Sequence, residues 1–550
     1  MTSRTKWIFI VSGCAFLLGM ILQVPQFLYR IQPESQGILV HMNSDEYQYL
    51  ARLEEALTGR PEQAAQPYVG DPYSPGMHFA LIEQAEGALF RWTGWRAATV
   101  FQIMDTVIPM LLFFALFALF RFAGFSRPRS LTGVFLFVLP LLYSLNRPIH
   151  QRESFLLVLI TILLCIFAIE RRSSAAAIIG GVMLGVLFGV YLWAWMFSWA
   201  YVGLLLLWEL IAWWSKRRSV SLLRSRVGLL ILTVGIGLIA ASPFLLSIVR
   251  SMSHPLYDEM AFRQGMFFSH VPESWIYSVL FLIMSAVLLI ARRRLPELKG
   301  TKQYAILFPL TVFVVINQQV IHGHVLAFTS HFTFAIALAS VCVFLLSTQR
   351  FHPLLLVTLG VSALMLAAIT WDNRPGFRLY TIRTDRFHEQ HFSSLLPILD
   401  RMPRTRVLSD DTTSAFIAAS TRHDIVSSIY LESALMPSEE IAERWCLTVL
   451  SISPDQRRIR EQIHLVWPDA NAANRGTDVR EREVRMVEDA CSRLDADPKG
   501  ALEKYGVQYV LWDALGHPDW DVRRLKVPLT LVSEDEGNWV LYKIGSSLFR

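Results

Sequence analysis

Long apolar runs recur through the first 371 residues of this 550-residue chain. A run of about 20 apolar residues can cross the hydrocarbon core of a bilayer as a helix, and a chain inside that core must satisfy its backbone hydrogen bonds internally. Only 17% of the residues are charged, against about 25% in soluble proteins. The runs therefore predict a polytopic α-helical membrane protein rather than a soluble one.

We predict about eleven membrane-spanning helices from the lengths of these runs. The run 174–214 is too long for one crossing, and its aromatic centre YLWAWMFSW at 191–199 favours an interface, so we divide it there. The predicted spans lie at 6–24, 98–120, 131–145, 153–169, 174–191, 195–214, 227–248, 275–291, 303–319, 332–348 and 353–371.

Lys and Arg concentrate in alternate loops between these spans, such as RFAGFSRPR, SKRRSVSLLRSR and ARRRLPELKGTK. Positively charged loops mark the cytoplasmic side of a membrane protein. The N-terminus is therefore predicted to be cytoplasmic, and the first long loop and the tail to lie outside the cytoplasm. The net charge of +6 follows from these loops, so no nucleic-acid partner is expected.

Two domains are predicted from the change in composition. Residues 1–371 form a transmembrane domain with a long first outer loop at 25–97, and residues 372–550 form a soluble extracytoplasmic α/β domain. Short apolar segments in the tail predict strands, the last of them a hairpin around DEGN. These segments are RVLSD at 406–410, TVLSI at 448–452, YVLWD at 509–513 and TLVSEDEGNWVLYKI at 530–544.

The first loop opens with HMNSDEYQYLARLEEALTGR at 41–60, in which Asp45 and Glu46 are adjacent. Asn43 and Glu46 have the spacing of a capping box. Leu50, Leu53 and Leu57 then fall on one face of an amphipathic helix, which we expect to lie along the outer membrane surface. Acids in a first helical turn are also favoured by the helix dipole alone, so the pair does not by itself indicate chemistry.

Several segments together resemble the GT-C membrane glycosyltransferases, which use polyprenyl-phosphate-linked sugars. DEYQYLARLEEALTGR looks like their first-loop acidic motif with its helix, and YSPGMHFALIEQAEGALFRWTGW at 73–95 resembles a PPG segment in which Ser74 replaces the first proline. NQQVIHGHVLAFTSHF at 317–332 is similar to a later segment, and YGVQYVLWDA with NWVLYKI resembles the end of their tails. The match covers most of the chain through loose motifs.

This resemblance implies an inverting transfer of sugar from a polyprenyl-phosphate donor to an acceptor on the outer face. Asp45 is the candidate general base, because a carboxylate within hydrogen-bond reach can take a proton from the acceptor. Glu46 would position the acceptor or support Asp45. The leaving phosphate needs cations, for which arginine is suited, and the candidates are Arg147, Arg152 and Arg263.

Three further residues are candidate substrate contacts. His78 and His331 lie in the segments that resemble the family, and Asp105 is a carboxylate within the second predicted span. Ionisable groups inside a membrane are costly and are usually functional or paired. Arginines at the outer rim also bind lipid headgroups without any catalytic role, so a structural interpretation stays open for each of these residues.

No cofactor is required by any motif, although a divalent metal is possible. His322 and His324, together with His331, offer ligand types that metals accept, but sequence does not fix their separation. Cys446 and Cys491 lie in the tail and could pair if the tail faces an oxidising compartment.

The expected partners are therefore a polyprenyl-phosphate-sugar donor, membrane lipid, and a glycan, lipid or protein acceptor, at the inner membrane of a bacterium. Two alternatives stay open. A transporter or flippase of lipid-linked glycans would place its acids near mid-membrane and often shows repeated halves, neither of which is evident here. A non-catalytic membrane scaffold with a partner-binding tail would leave the acidic pair unexplained.

Overall fold

The structure, a computed structural model, describes most of the chain between residues 3 and 545. The residues outside this description are 1–2, 43–44, 62–66, 69–78, 146–151, 216–224, 265, 267, 350–351, 375–377, 379, 450–458, 462–465, 467–476, 521 and 546–550. Two of the residues singled out above, His78 and Arg147, and the capping residue Asn43 lie among them.

Helices account for most of the described chain. In chain order they are α1 (Ser3–Arg30), α2 (Glu46–Leu57), α3 (Leu81–Phe90), α4 (Ala97–Phe122), α5 (Arg127–Val138), α6 (Leu142–Leu145), α7 (Arg152–Arg171), α8 (Ser174–Val186), α9 (Leu192–Ser215), α10 (Arg226–Met252), α11 (Tyr257–Arg263), α12 (Trp275–Arg294), α13 (Gln303–Val315), α14 (Gln318–His322), α15 (Thr333–Ser347), α16 (Pro353–Asp372), α17 (Leu396–Arg401), α18 (Asp411–Ser420), α19 (Ser438–Thr448), α20 (Thr477–Ala496) and α21 (Pro498–Lys504).

The chain divides into two compact units. The first unit comprises 1–25, 102–247 and 268–381, and the second comprises 26–101, 248–267 and 382–550. The second unit therefore gathers most of the first long loop, a short segment after α10, and the tail. From sequence, the loop had been grouped with the transmembrane domain.

Nine helices in the described residues are long and apolar enough to cross a membrane. Two more apolar helices, Ser174–Gly189 and Gly300–Val315, are shorter and fall where the fifth and ninth spans were predicted. The prediction of a polytopic helical membrane protein is confirmed. At about 1.5 Å of rise per residue, the two shorter helices fall below the length that a bilayer core of about 30 Å requires.

The predicted division of the 174–214 run is also confirmed. Helix α8 ends at Val186, a 3₁₀ turn covers Leu187–Gly189, and α9 begins at Leu192. In the core of the first unit, Trp193 and Phe155 are buried, with ring centroids 6.0 Å apart. The aromatic segment thus packs partly inside the protein instead of marking only an interface.

The second unit contains a five-stranded mixed sheet. Its strands are β1 (Arg406–Leu408), β2 (Asp424–Ile425), β3 (Val507–Asp513), β4 (Leu529–Asp535) and β5 (Trp539–Ile544). Their order is β2-β1-β3-β5-β4, with β1 parallel to both β2 and β3, and with β5 antiparallel to β3 and β4. The predicted α/β tail and its terminal hairpin are confirmed.

One predicted strand in the tail is wrong. Of the segment 448–452, Thr448 is the last residue of α19 and Val449 lies in a turn, while 450–452 lie outside the described residues. Ile441, Trp445 and Thr448 recur at helical spacing and are buried, so the apolar run closes an amphipathic helix. The two-residue strand β2 was not predicted, because it is too short to give an alternating pattern.

Helix α2 forms where the amphipathic helix was predicted but is buried on its polar side as well. It packs against α3 and α18 within the second unit, and Ala51 belongs to the same core as the sheet strands. Arg52, Glu54 and Glu55 are all less than 7% exposed. The predicted helix is therefore present, and its charged residues are buried within the second unit.

Cys446 and Cys491 form a disulfide that joins α19 to α20, with a Cα–Cα distance of 5.1 Å. Helices α19 and α20 also pack directly against each other. The bond closes a chain separation of 45 residues, which restricts the unfolded chain and so stabilises the folded state. Disulfides persist in oxidising compartments, which agrees with the side of the membrane that charge predicted for the tail.

We predict that Cys446→Ser lowers the stability of the second unit by about 2–5 kcal/mol. The measurement is the apparent Tm of the detergent-solubilised protein, with and without reductant. Cys14→Ser is the control, since Cys14 is a free cysteine in α1. Equal melting of wild type and Cys446→Ser under oxidising conditions would contradict the stabilising role of the disulfide.

Candidate functional site

Glu46 is buried at the first turn of α2 and is held by the chain that precedes it. Its Oε1 and Oε2 accept the backbone N–H of Met42 at 3.1 and 3.2 Å, and Oε2 lies 3.4 Å from His41 Nδ1. The helix begins at Glu46 with Asp45 at the N-cap position, so Glu46 is not the third residue of a helix capped by Asn43. Its carboxylate still satisfies a backbone donor upstream of the helix.

His41 joins this acid to a second carboxylate from the tail. Its Nε2 lies 3.5 Å from Glu389 Oε2, and the Tyr47 hydroxyl donates to the other Glu389 oxygen. Burial opposes a charged imidazole, but the negative charges of Glu389 and Glu46 outweigh burial and raise the pKa of His41. Burial and Glu389 raise the pKa of Tyr47. We call His41, Glu46, Tyr47 and Glu389 the His41 cluster.

Asp45 differs from its neighbour because it is only half-buried. Its backbone carbonyl accepts the N–H groups of Gln48 and Tyr49 at 3.1 and 3.4 Å, which starts the helix, and its side chain makes no capping hydrogen bond. The N-terminal end of a helix favours a negative charge. Of the two adjacent acids, Asp45 is therefore the one with a carboxylate that solvent or substrate can reach.

The C-terminal half of α2 lines a cavity of about 360 Å³ within the second unit, together with His41, Arg96 and Asp400. Glu54 accepts from Arg96 Nη1 at 3.2 Å and from the backbone N–H of Ala97 at 3.1 Å. Burial raises the pKa of Glu54, although Arg96 opposes this shift. Arg96 also pairs with Asp400. The cavity is within the size range of small-molecule sites.

Sequence reasoning missed His41, Glu54 and Glu389. His41 lies four residues before Asp45, and could have been noticed from that proximity. Glu54 lies on the same predicted helix, but helical spacing alone gives a glutamate at this position no particular role. Glu389 is more than 300 residues away in the chain, so no local pattern could have placed it beside the acidic pair.

Arg263, a predicted phosphate contact, is buried in the second unit with an exposed fraction of 2%. Its guanidinium donates to the carbonyl oxygens of Glu432 and Ala434 at 3.2 and 2.6 Å and to Ser438 Oγ at 2.9 Å. It also lies 3.6 Å from Glu259 on α11. These contacts fasten α11 to the segment before α19, which favours a structural role over the phosphate-binding role expected from sequence.

Arg152 and Asp105, two more predicted site residues, meet in the first unit. Arg152 is fully buried, pairs with Asp105, and donates through Nε to Glu153 Oε1 at 2.9 Å. Two carboxylates therefore already balance the guanidinium, as is usual for charges inside a membrane protein. A lipid phosphate could bind Arg152 only if it replaced one of them.

His331 lies half-buried at the start of α15, in the first unit. Its Nδ1 accepts the backbone N–H of Phe328 at 3.2 Å, and its ring centroid is 6.2 Å from that of Tyr191. His322 Nδ1 similarly accepts the N–H of His324 at 3.2 Å. In both residues Nδ1 is used for local backbone structure.

Comparison with known proteins gives distant similarities. No family model and no curated protein sequence matches the chain. It is similar to the crystal structure of ArnT from Cupriavidus metallidurans bound to undecaprenyl phosphate, at 12% identity over 99% of both chains, with a TM-score of 0.46. The apo state of ArnT gives 13% identity over 100% of this chain and 99% of that chain, with a TM-score of 0.45.

The Archaeoglobus fulgidus oligosaccharyltransferase in complex with Zn and sulfate is 13% identical, with a TM-score of 0.41, over 97% of this chain and 72% of that one. All three similarities have TM-scores below 0.5. At such low identities and TM-scores they assign neither an activity nor a ligand to this chain.

We predict that His41→Asn destabilises the protein more at low pH than at high pH. The pKa of His41 is raised above its ordinary 6.5 in the folded state. Its contribution to stability is therefore fully present below pH 6.5 and is lost as pH rises through the folded-state pKa. The difference in apparent Tm between wild type and variant, measured from pH 6 to 9, should shrink. His270→Asn, at an exposed histidine, is the control, and a difference that grows with pH would refute the assignment.

We also predict that Arg263→Ala lowers stability by about 3 kcal/mol, because it leaves buried carbonyl acceptors without a donor. Arg250→Ala, at an exposed arginine at the end of α10, should change stability by no more than about 0.5 kcal/mol. The measurement is the apparent Tm, combined with the KM for a polyprenyl-phosphate sugar. A raised donor KM with unchanged stability would instead support phosphate binding by Arg263.

Proposed function

We propose that this integral membrane protein is a GT-C glycosyltransferase that transfers a sugar from a polyprenyl-phosphate donor to an acceptor. The observation that carries the proposal is the unequal environment of the two adjacent acids. Glu46 is buried against His41 and Met42, whereas Asp45 is half-buried at the N-terminus of α2. An acidic pair with only one accessible member suits a single general base on a fixed support.

Asp45 would take the proton from the acceptor nucleophile as it attacks the anomeric carbon of the sugar. Glu46 would act as a positioning residue, because its contacts hold the chain just before α2 in place. The inverting outcome belongs to this proposal, since one base and one direct displacement would invert the anomeric centre. The acceptor forms the new bond to the anomeric carbon, and the polyprenyl phosphate leaves with the bonding electrons of the broken C–O bond.

On the donor side, we propose Arg147 and Arg152 as contacts to the leaving phosphate. Arginine presents two parallel N–H groups that match phosphate oxygens. The pairing of Arg152 with Asp105 and Glu153 means that the phosphate would have to exchange with a carboxylate. His78 and His331 remain proposed substrate contacts, and Asp105 would act through Arg152.

The same proposal places the second unit outside the cytoplasm. The disulfide in that unit supports an oxidising compartment, and the basic loops of the first unit support a cytoplasmic opposite face. Location at a bacterial inner membrane and the use of a glycan, lipid or protein acceptor follow from the proposed chemistry.

Asp45→Asn should reduce transfer of sugar from a polyprenyl-phosphate donor by about 10²–10⁴-fold, the usual contribution of general-base catalysis, without lowering the apparent Tm. Glu46→Gln should lower both activity and Tm, because the carboxylate supports the His41 cluster. Glu34→Gln, at an exposed acid of the same loop, is the matched control. The measurement is radiolabelled sugar transfer together with thermal melting of each variant.

Full activity of Asp45→Asn would contradict the proposal that Asp45 is the general base. Movement of labelled lipid-linked glycan across vesicles by the wild-type protein, without any transfer, would favour a flippase. The absence of both activities would favour a scaffold.

A further inference from the structure

Two buried aspartates lie together at one edge of the sheet in the second unit. Asp513 is the last residue of β3, and Asp410 follows β1 and caps α18, where its Oδ1 accepts the N–H of Thr413 at 2.9 Å. Because β1 and β3 are parallel neighbours, their carboxyl ends share an edge, which is where open α/β sheets bind ligands. The side chain of His517 completes the group, and the ligand-type atoms of the three residues lie within 4.8 Å of one another.

The charges of this group are not balanced by lysine or arginine. Asp410 and Asp513 are each 6% exposed, and in the described part of the chain their ion-pair partners are histidines: His517 beside Asp410 and His391 beside Asp513. Carboxylates taken out of water are normally paired with a cation or bound to a metal ion. Two buried carboxylates this close together therefore need a nearby positive charge to offset their repulsion and burial.

His391 is placed to orient one of these carboxylates. Its Nε2 lies 2.9 Å from Asp513 Oδ1, while its buried Nδ1 has no hydrogen-bond partner in the described residues. A buried histidine with a single hydrogen bond to a carboxylate is typical of the outer shell of a metal site, where such contacts fix the ligands.

The turn after β3 holds Asp513 through one of its two carboxylate oxygens. The N–H of Gly516 donates to Asp513 Oδ1 at 2.8 Å, so both hydrogen bonds that the described residues make to this carboxylate fall on one oxygen. A Cβ at position 516 would lie 2.3 Å from Asp513 Oδ2, so only glycine accommodates the carboxylate in this position. Asp513 Oδ2 remains as a ligand atom.

We propose that Asp410, Asp513 and His517 bind one divalent transition-metal ion, for which Zn²⁺ is the best match. The 3.3 Å between His517 Nε2 and Asp410 Oδ1 is close to the separation of about 3.3 Å expected for two ligands in a tetrahedral zinc site. An imidazole ligand disfavours Ca²⁺ and Mg²⁺, which prefer oxygen. His517 is 43% exposed along its side chain, which gives the ion a route in and a position for water.

Such an ion would have a structural role within the second unit. It would tie the first turn of α18 to the carboxyl end of β3, and α18 packs against α2, the helix that begins beside Asp45. The proposal does not depend on the proposed glycosyltransferase activity, because it concerns only the tail residues and what they bind.

The test uses tag-free, full-length protein in detergent, stripped with EDTA and then dialysed against Zn²⁺. Wild type should bind one Zn²⁺ per chain at this site, and Zn²⁺ should raise its apparent Tm, whereas Ca²⁺ and Mg²⁺ should not. Asp513→Asn and His517→Gln should each weaken Zn²⁺ binding by at least about tenfold and abolish the shift in Tm. Metal content is measured by mass spectrometry, and affinity by titration calorimetry.

Two controls separate this site from incidental binding. Asp519→Asn changes an exposed acid of the same turn, and the double variant His322→Asn with His324→Asn removes the exposed histidine pair of the first unit; both should retain the tail ion. His517 is partly exposed, so His517→Gln should melt like wild type in EDTA, which keeps the test valid if Asp513→Asn fails to fold. The proposal is overturned if wild type binds no Zn²⁺, if His517→Gln binds it as wild type does, or if Ca²⁺ and Mg²⁺ stabilise the protein equally.

Discussion

The fold of the second unit depends on ion pairs made by charged side chains of α2 that are buried inside the unit. A helix with this many buried ionisable groups is stable only when each of them meets a partner, because an isolated charge away from water costs several kcal/mol. Each partner named below lies outside α2 but within the same unit. The helix can therefore be buried only when the rest of the unit has folded around it. The pairs are Glu46 with His41, Arg52 with Glu83, Glu54 with Arg96, and Glu55 with Arg60 and Arg404.

Because of this pairing, the adjacent acids Asp45 and Glu46 have different environments and different proposed roles. Glu46 accepts the backbone N–H of Met42 and contacts His41, and His41 in turn contacts Glu389 from the tail. Asp45 is left at the surface of the same cluster with its backbone fixed by the first turn of α2. A carboxylate on a rigid support loses little conformational entropy when it meets a substrate. The buried Glu46 therefore matters to the role proposed for the half-buried Asp45.

Residues of the tail take part in several of the interactions described above. It supplies Glu389 to the His41 cluster, acceptors for Arg263, and the sheet edge at which Asp410 and Asp513 meet. The disulfide between α19 and α20 stabilises the part of the unit that contains the most charged sequence. Interactions of this kind explain why the first long loop, predicted as part of a membrane domain, folds with residues several hundred positions later in the chain.

Local sequence patterns determined the apolar helices, the break before Leu192, the presence of α2 and the terminal hairpin of β4 and β5. Hydropathy, turn residues and helical spacing act over a few residues, so a single segment contains the information. Only the tertiary structure decided that the polar side of α2 is buried, that Arg263 donates to carbonyl oxygens of the tail, and that His41 links Glu46 to Glu389. Most of these outcomes depend on contacts between separate segments of the chain, such as Glu55 with Arg404 and His41 with Glu389, and such contacts leave no periodic trace in the sequence.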